Sequence, residues 1–107
     1  MIKVVILDQK RAELSHEEFR TYWLEEHAPL ARELPGLRKY TVSLPASPAD
    51  HPYQGIAELW FDDTEAATQA FDTDIGQEVQ ADAEMFVDPE TKVIMHTEEH
   101  TIVDDLA

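Results

Sequence analysis

The chain has no cysteine. Disulfides, thiolate nucleophiles, iron–sulfur clusters and Cys-ligated zinc are therefore excluded within one copy. Its three glycines, Gly36, Gly55 and Gly76, lie too far apart to write a P-loop or a dinucleotide fingerprint. The longest apolar run near the start, Val4-Val5-Ile6-Leu7, is too short for a signal-peptide core or a membrane span, so a soluble cytoplasmic protein is the expectation. Positive charge is also scarce. Lys+Arg is 8 against Asp+Glu 23, a formal net charge of −15. Nucleic-acid binding needs a basic footprint, and anionic lipid repels an acidic chain, so neither nucleic acid nor membrane is an expected partner. The shortage is uneven. Residues 1–39 hold seven bases and seven acids, whereas residues 40–107 hold sixteen acids and one base, Lys92.

What is present suffices for one domain. The 107 residues are 43% apolar, near the globular average and enough for a single core. Met1 to Leu7 predicts a strand that is apolar on both faces and so needs cover on both sides. Asp8 to Leu14 reads as a polar connection. Ser15 with Glu18 forms a capping box that opens a helix. Phe19, Tyr22, Trp23, His27, Leu30, Ala31 and Leu34 recur along it at helical spacing. Pro29 must interrupt the hydrogen-bond ladder, which predicts a kink or restart at His27-Ala28-Pro29, and Pro35-Gly36 ends the helix.

Leu37 to Leu44 predicts a second strand, and a loop with Pro45, Pro48 and Pro52 follows it. Gly55 to Phe61 predicts a third strand, with Ala57, Leu59 and Phe61 on one face and Ile56, Glu58 and Trp60 on the other. Asp62-Asp63-Thr64 caps a helix over residues 65–71, and a second helical piece covers 75–86. Asp88-Pro89 turns the chain into a last strand over 91–103. The order β-α-β-β-α-β is the ferredoxin-like plan, an α+β fold whose four-stranded antiparallel sheet carries helices on one face only. Ile56 and Trp60 make the other face too apolar to leave wet, and a homodimer packing two such faces together resolves this.

Two stretches carry a family resemblance. Tyr22-Trp23-Leu24-Glu25-Glu26-His27-Ala28-Pro29-Leu30, followed by Leu34-Pro35-Gly36-Leu37-Arg38-Lys39-Tyr40, resembles the EthD family, with Trp-x-x-x-His-Ala-Pro as its specific part. Gly55-Ile56-Ala57-Glu58-Leu59-Trp60-Phe61 and Asp82-Ala83-Glu84-Met85-Phe86-Val87-Asp88 resemble it too. The resemblance implies a dimeric α+β barrel and relatives that include a methylmuconolactone isomerase, fungal polyketide-tailoring enzymes, cofactor-free monooxygenases and haem-binding proteins. It implies fold more closely than reaction.

The candidate residues follow. His27 sits on the apolar stripe near a helix end, where burial and the helix terminus pull its pKa in opposite directions. It is a candidate general acid or base, and otherwise a ring that satisfies a carbonyl freed near Pro29. The resemblance adds that the isomerase relatives use a His at this motif. They also use a Tyr near Tyr40, which makes Tyr40 a candidate donor to a substrate carbonyl; the alternative is an aromatic strand residue with its hydroxyl at the rim. Tyr22 and Trp23 are core residues or pocket walls. Trp60 lines a pocket or the dimer seam. Glu58, between Ile56 and Trp60, is a proton shuttle or, more simply, an interfacial carboxylate paired with Arg38 or Arg20. His51 in the proline loop reaches a pocket mouth or stays at the surface.

His96 and His100 look like a metal pair, but on a strand they stand about 13 Å apart. No metal and no cofactor is expected. The expected function is an enzyme that uses no metal or nucleotide and acts on a hydrophobic, oxygen-bearing ring such as a lactone, enol or quinone-like catabolite. His27 would move a proton there and Tyr40 would polarise a carbonyl. The alternatives are a non-catalytic ligand-binding or accessory dimer of a catabolic pathway, and a structural dimer whose acidic face meets a basic partner. The acids fall on several elements, which reads as a solubilising coat, and a salt-loving source is the expected reason.

Overall fold

The computed structural model describes residues 1–106. Four strands, β1 (Ile2–Asp8), β2 (Lys39–Ser43), β3 (Gly55–Phe61) and β4 (Val93–Thr97), form one sheet in the order β2-β3-β1-β4, with every neighbouring pair antiparallel. The helices α1 (His16–Tyr22), α2 (Ala28–Ala31), α3 (Thr64–Asp72) and α4 (Asp74–Ala83) join them in the α+β ferredoxin-like arrangement. No helix among the described residues is long and apolar enough to cross a membrane.

Local chemistry explains most boundaries. The Ser15 hydroxyl accepts from the Glu18 amide, and the Glu18 carboxylate accepts from the Ser15 amide, so the capping box is complete in both directions. Asp63 and Thr73 cap α3 and α4 in one direction only, each side chain accepting from the amide three residues on, Ala66 and Gly76. Between α1 and α2 the chain makes a π-helical turn, Trp23–His27, with the Ala28 amide donating to the Trp23 carbonyl. The expected interruption at Pro29 takes this form. Proline has no N–H and its ring crowds the carbonyl four residues back, and the wider turn relieves that crowding.

Register fixes the two faces of the sheet. Val4, Ile6, Asp8, Ala57, Leu59, Phe61 and Tyr40 face the helices. Lys3, Val5, Leu7, Ile56, Glu58, Trp60 and Met95 face away. The core lies on the helix side, where Phe86 touches Phe19, Tyr22, Trp23 and His27 with ring centroids 4.9–5.6 Å apart. Arg11 holds Phe86 there. Its amide donates to the Phe86 carbonyl at 3.0 Å, and its guanidinium to the Glu84 carbonyl at 2.9 Å.

Several expected boundaries move: the helical piece expected over 75–86 ends at Ala83, the second strand is trimmed to Lys39–Ser43, and the last strand starts at Val93. Asp8 belongs to β1 rather than to a connection. The first helix ends at Ala31, before Pro35-Gly36. The last strand stops at Thr97 instead of reaching Val103, because Thr97 already pairs with Lys3 and β1 begins at Ile2. Residues 98–106 have almost no strand left opposite them to complete a ladder.

Candidate functional site

Between the sheet and its helices lies a cavity of about 480 Å³. Its walls are mostly apolar and small-sided at several points: Ala31, Ala57, Ala67 and Ala83 line it beside Val4, Ile6, Leu59, Phe71 and Val79. His27, Tyr40 and Asp8 supply polar groups, with Gln80, Glu84, Lys92 and His96 also on the lining. A hydrophobic pocket with a few placed polar groups is the usual form of a small-molecule site.

His27 closes the π-helical turn and is 7% exposed. Its Nδ1 lies 2.8 Å from Asp82 Oδ2 on α4, and Tyr22 Oη donates to Asp82 Oδ1 at 2.7 Å. Donation to Asp82 raises the Tyr22 hydroxyl to about 12, so it keeps its proton. Burial pushes the His27 ring below its ordinary value, and the hydrogen bond to Asp82 opposes that only in part. The neutral ring therefore donates Nδ1–H to Asp82, a hydrogen bond more than an ion pair. That leaves the Nε2 lone pair, which no described residue engages, for the cavity.

Tyr40 stands on the facing sheet. Its hydroxyl oxygen accepts from Trp23 Nε1 at 3.0 Å, and its own hydrogen has no acceptor among the described residues. Burial raises its pKa, so it remains a donor. The Trp23 indole reaches Tyr40 because β3 begins with Gly55. A Cβ on Gly55 would collide with the indole ring.

Asp8 ends the inward row Val4, Ile6, Asp8. It is 5% exposed, and its Oδ1 is fully buried without a hydrogen-bond partner. Burial raises its carboxyl to about 6, against an opposing attraction from Lys92.

The structure brings together His27, Tyr40, Trp23 and, through Asp82, Tyr22. It separates the other three candidates from them. Glu58 and Trp60 lie on the opposite face of the sheet, because alternation along β3 turns them away from the helices. The partner of Glu58 is Lys3, at 2.8 Å, rather than Arg38 or Arg20. Arg38 precedes β2 and pairs instead with Asp62, just past the end of β3, and Arg20 is on the helix layer. Trp60 stacks under Lys39 and Lys3 and donates to Glu99. His51 is exposed in its loop, where its ring accepts from the Tyr53 amide, and it does not line the cavity.

Asp82, Asp8 and Phe86 are the site residues that sequence reasoning passed over. Asp8 was within reach, since extending the alternation of β1 by one step points it inward. Asp82 sits three residues after Val79 on the inner side of α4, but it is one of sixteen acids after residue 39. Among the described residues no three His, Asp or Glu side chains converge as metal ligands.

A sequence model described as the EthD domain matches residues 11–90. An ethyl tert-butyl ether degradation (EthD) family protein from Bacillus halodurans C-125 is 30% identical, with a TM-score of 0.80 over 94% of this chain and 99% of that one. A dimeric protein of unknown function with a ferredoxin-like fold, from Bacteroides fragilis, is 15% identical with a TM-score of 0.71, covering 92% and 95% of the two chains. SnoaB, a cofactor-independent oxygenase from Streptomyces nogalater, is 15% identical with a TM-score of 0.68, covering 96% and 97%. At these last identities the likeness shows the fold alone. No curated protein matches this chain in sequence.

Proposed function

Because the chain belongs to the EthD family, we propose that its cavity is the active site of a small enzyme that moves a proton on a hydrophobic, oxygen-bearing ring compound. Its own side chains supply the chemistry. The His27–Asp82 pair supports this most directly: a buried, neutral imidazole is held by Nδ1 with Nε2 left for a ligand in the cavity. This is the arrangement of a general base whose tautomer and orientation are set by a carboxylate. Asp82, steadied by Tyr22, is a positioning residue. Tyr40 donates its free hydrogen to the carbonyl or enolate oxygen of the ligand, and the Trp23 bond holds its oxygen in place. The apolar stretches of the wall lower the local polarity, which strengthens both polar contacts.

The outer face of the sheet serves as the seam of a homodimer. Val5, Leu7, Ile56 and Met95 lie on it around the Lys3–Glu58 pair, and Ile56 and Met95 are 37% and 58% exposed. The dimeric ferredoxin-like neighbour supports this reading. Sedimentation of the wild type should give a dimer. Val5→Lys, at the centre of that face, should give a folded monomer, and a wild type that sediments as a monomer at every concentration would sink the idea.

A panel of lactones, enols and quinones tested against wild type and His27→Ala tests the chemistry. The variant should lose turnover by roughly 10²–10⁴-fold. Unchanged turnover removes His27 from the mechanism. Tight binding with no turnover by either protein would instead favour a non-catalytic ligand-binding protein.

A further inference from the structure

Residues 40–107 hold a single base, Lys92, among sixteen acids. Bases elsewhere in the chain find carboxylates: Lys3 pairs with Glu58, Arg11 with Glu13 and Arg38 with Asp62. Lys92 has no ion pair among the described residues, and its ammonium donates no hydrogen bond to them. Its place in the fold is specific. The short turn Pro89–Thr91 delivers it in extended backbone just before β4. Ile94 pairs with Ile6, which faces the helices, so alternation turns Lys92, two residues earlier, the same way. It is half-buried, and it is the only lysine or arginine on the cavity lining.

That lining has two parts. Val4, Ala57, Leu59 and His27 are buried, whereas Gln80, Glu84, Ile94 and His96 are exposed, so the cavity meets solvent between α4 and β4. Lys92 borders the solvent-facing part, and its charge still reaches the buried one. Burial is the main reason that Asp8 is raised and His27 lowered; the Lys92 charge opposes the first and adds to the second. A surface lysine ordinarily covers its stem and sends its charge out to water. This one holds an unpaired charge against a cavity with apolar walls.

We propose that Lys92 is the anion-recognising residue of the cavity: the molecule that enters carries a carboxylate on an apolar ring system, with the carboxylate on the Lys92 ammonium at the solvent-facing part and the ring among the alanines. This rests on the reading of the cavity as a small-molecule site and needs no catalytic role for His27. The formal net charge of −15 repels anions at long range. A carboxylate therefore gains only where a local cation stands, and on this cavity Lys92 is the one permanent cation. The titratable groups that share the lining with it are Asp8 from β1, Tyr40 from β2, His27 from the π-helical turn, His96 from β4 and Glu84 after α4. Asp8 loses its negative charge as pH falls through about 6, so the anion should bind more tightly below that pH, and a neutral ligand should not.

The test titrates 1-naphthoate and its uncharged counterpart 1-naphthamide into isotope-labelled protein, with the backbone amide NMR signals of Ala57 and Ala83 reporting cavity occupancy. Wild type at pH 7 should bind the naphthoate about tenfold more tightly than the naphthamide, the effect of one charge-assisted hydrogen bond. The ratio should widen at pH 5.5. Lys92→Gln should bind the two probes alike, with its naphthamide affinity within twofold of wild type, and Lys92→Arg should keep the preference. Equal affinities for the two probes in wild type, or a preference that survives in Lys92→Gln, overturns the assignment of Lys92 while leaving the cavity as a ligand site. Failure of both probes to shift the Ala57 and Ala83 signals in wild type overturns the cavity reading and this proposal with it.

Discussion

His27 matters less as an isolated histidine than as one end of a chain, Tyr22–Asp82–His27, that crosses from the first helical segment to α4. The first and last members stand out in the sequence, on the apolar stripe and in the His-Ala-Pro element. The middle one does not, because its identity depends on which turn of α4 packs against the π-helical turn, and helical periodicity cannot choose among so many acids. Asp8 makes the opposite point: its inward direction follows from strand alternation, but a charged residue after an apolar run reads as the start of a loop. Its burial also makes a stability prediction. A carboxyl raised in the folded state to about 6, from 3.8, favours folding while protonated. That contribution is full below about pH 4 and disappears as pH rises through 6. Asp8→Asn should therefore be more stable than wild type at pH 8 by up to roughly 3 kcal/mol, with the advantage shrinking toward pH 4. Urea unfolding at a series of pH values measures this, and an advantage that grows on acidification would contradict it.

At the level of elements, β3 and the interrupted first helix position the cavity. β3 was legible to the residue, since its alternation, its opening glycine and its Asp-rich end all agree. β4 was not. Its sequence stays strand-like through Val103, but β1 supplies a partner only as far as Thr97, and a ladder needs two strands. The wider turn at Trp23–His27 was legible as a disturbance, because proline forbids the regular ladder, but not as this particular geometry. Gly55 links the two elements by giving the Trp23 indole its place. Gly55→Ala should destabilise the fold by about 1–3 kcal/mol through overpacking. It should also weaken activity by displacing the indole from Tyr40. Thermal melts together with turnover check both effects, and a variant that melts with wild type would show that the indole can move aside without cost.

For the whole molecule, the acidic excess is mainly a property of the surface, Asp82 and the cavity-lining Glu84 apart. The net-neutral first 39 residues carry Asp8 and the His-Ala-Pro element, whereas the surplus lies on the proline loop, the outer sides of α3 and α4 and the segment after β4. Self-repulsion among exposed carboxylates is screened by salt. Melting temperature should thus rise from low to molar potassium chloride, at about 4–8 °C per kcal/mol recovered. A temperature that stays flat or falls would leave the proposed salt-loving source without support. Sequence reading located this asymmetry fully, because charge is additive along the chain. It located the cavity only in part, because a void is made by what several distant segments leave unfilled.

That void has a consequence for how the protein can change over generations. Its walls are alanines on four separate segments, Ala31, Ala57, Ala67 and Ala83, and none of them donates or accepts a proton through its side chain. Adding a methyl at Ala57 or Ala83, the two with the most accessible surface, trims the chamber, while His27, Tyr40 and Asp8 keep their places. On the proposed reading, ligand size and proton chemistry are recorded at different positions, and a lineage of such proteins can drift from one ring to another without rebuilding its acids and bases.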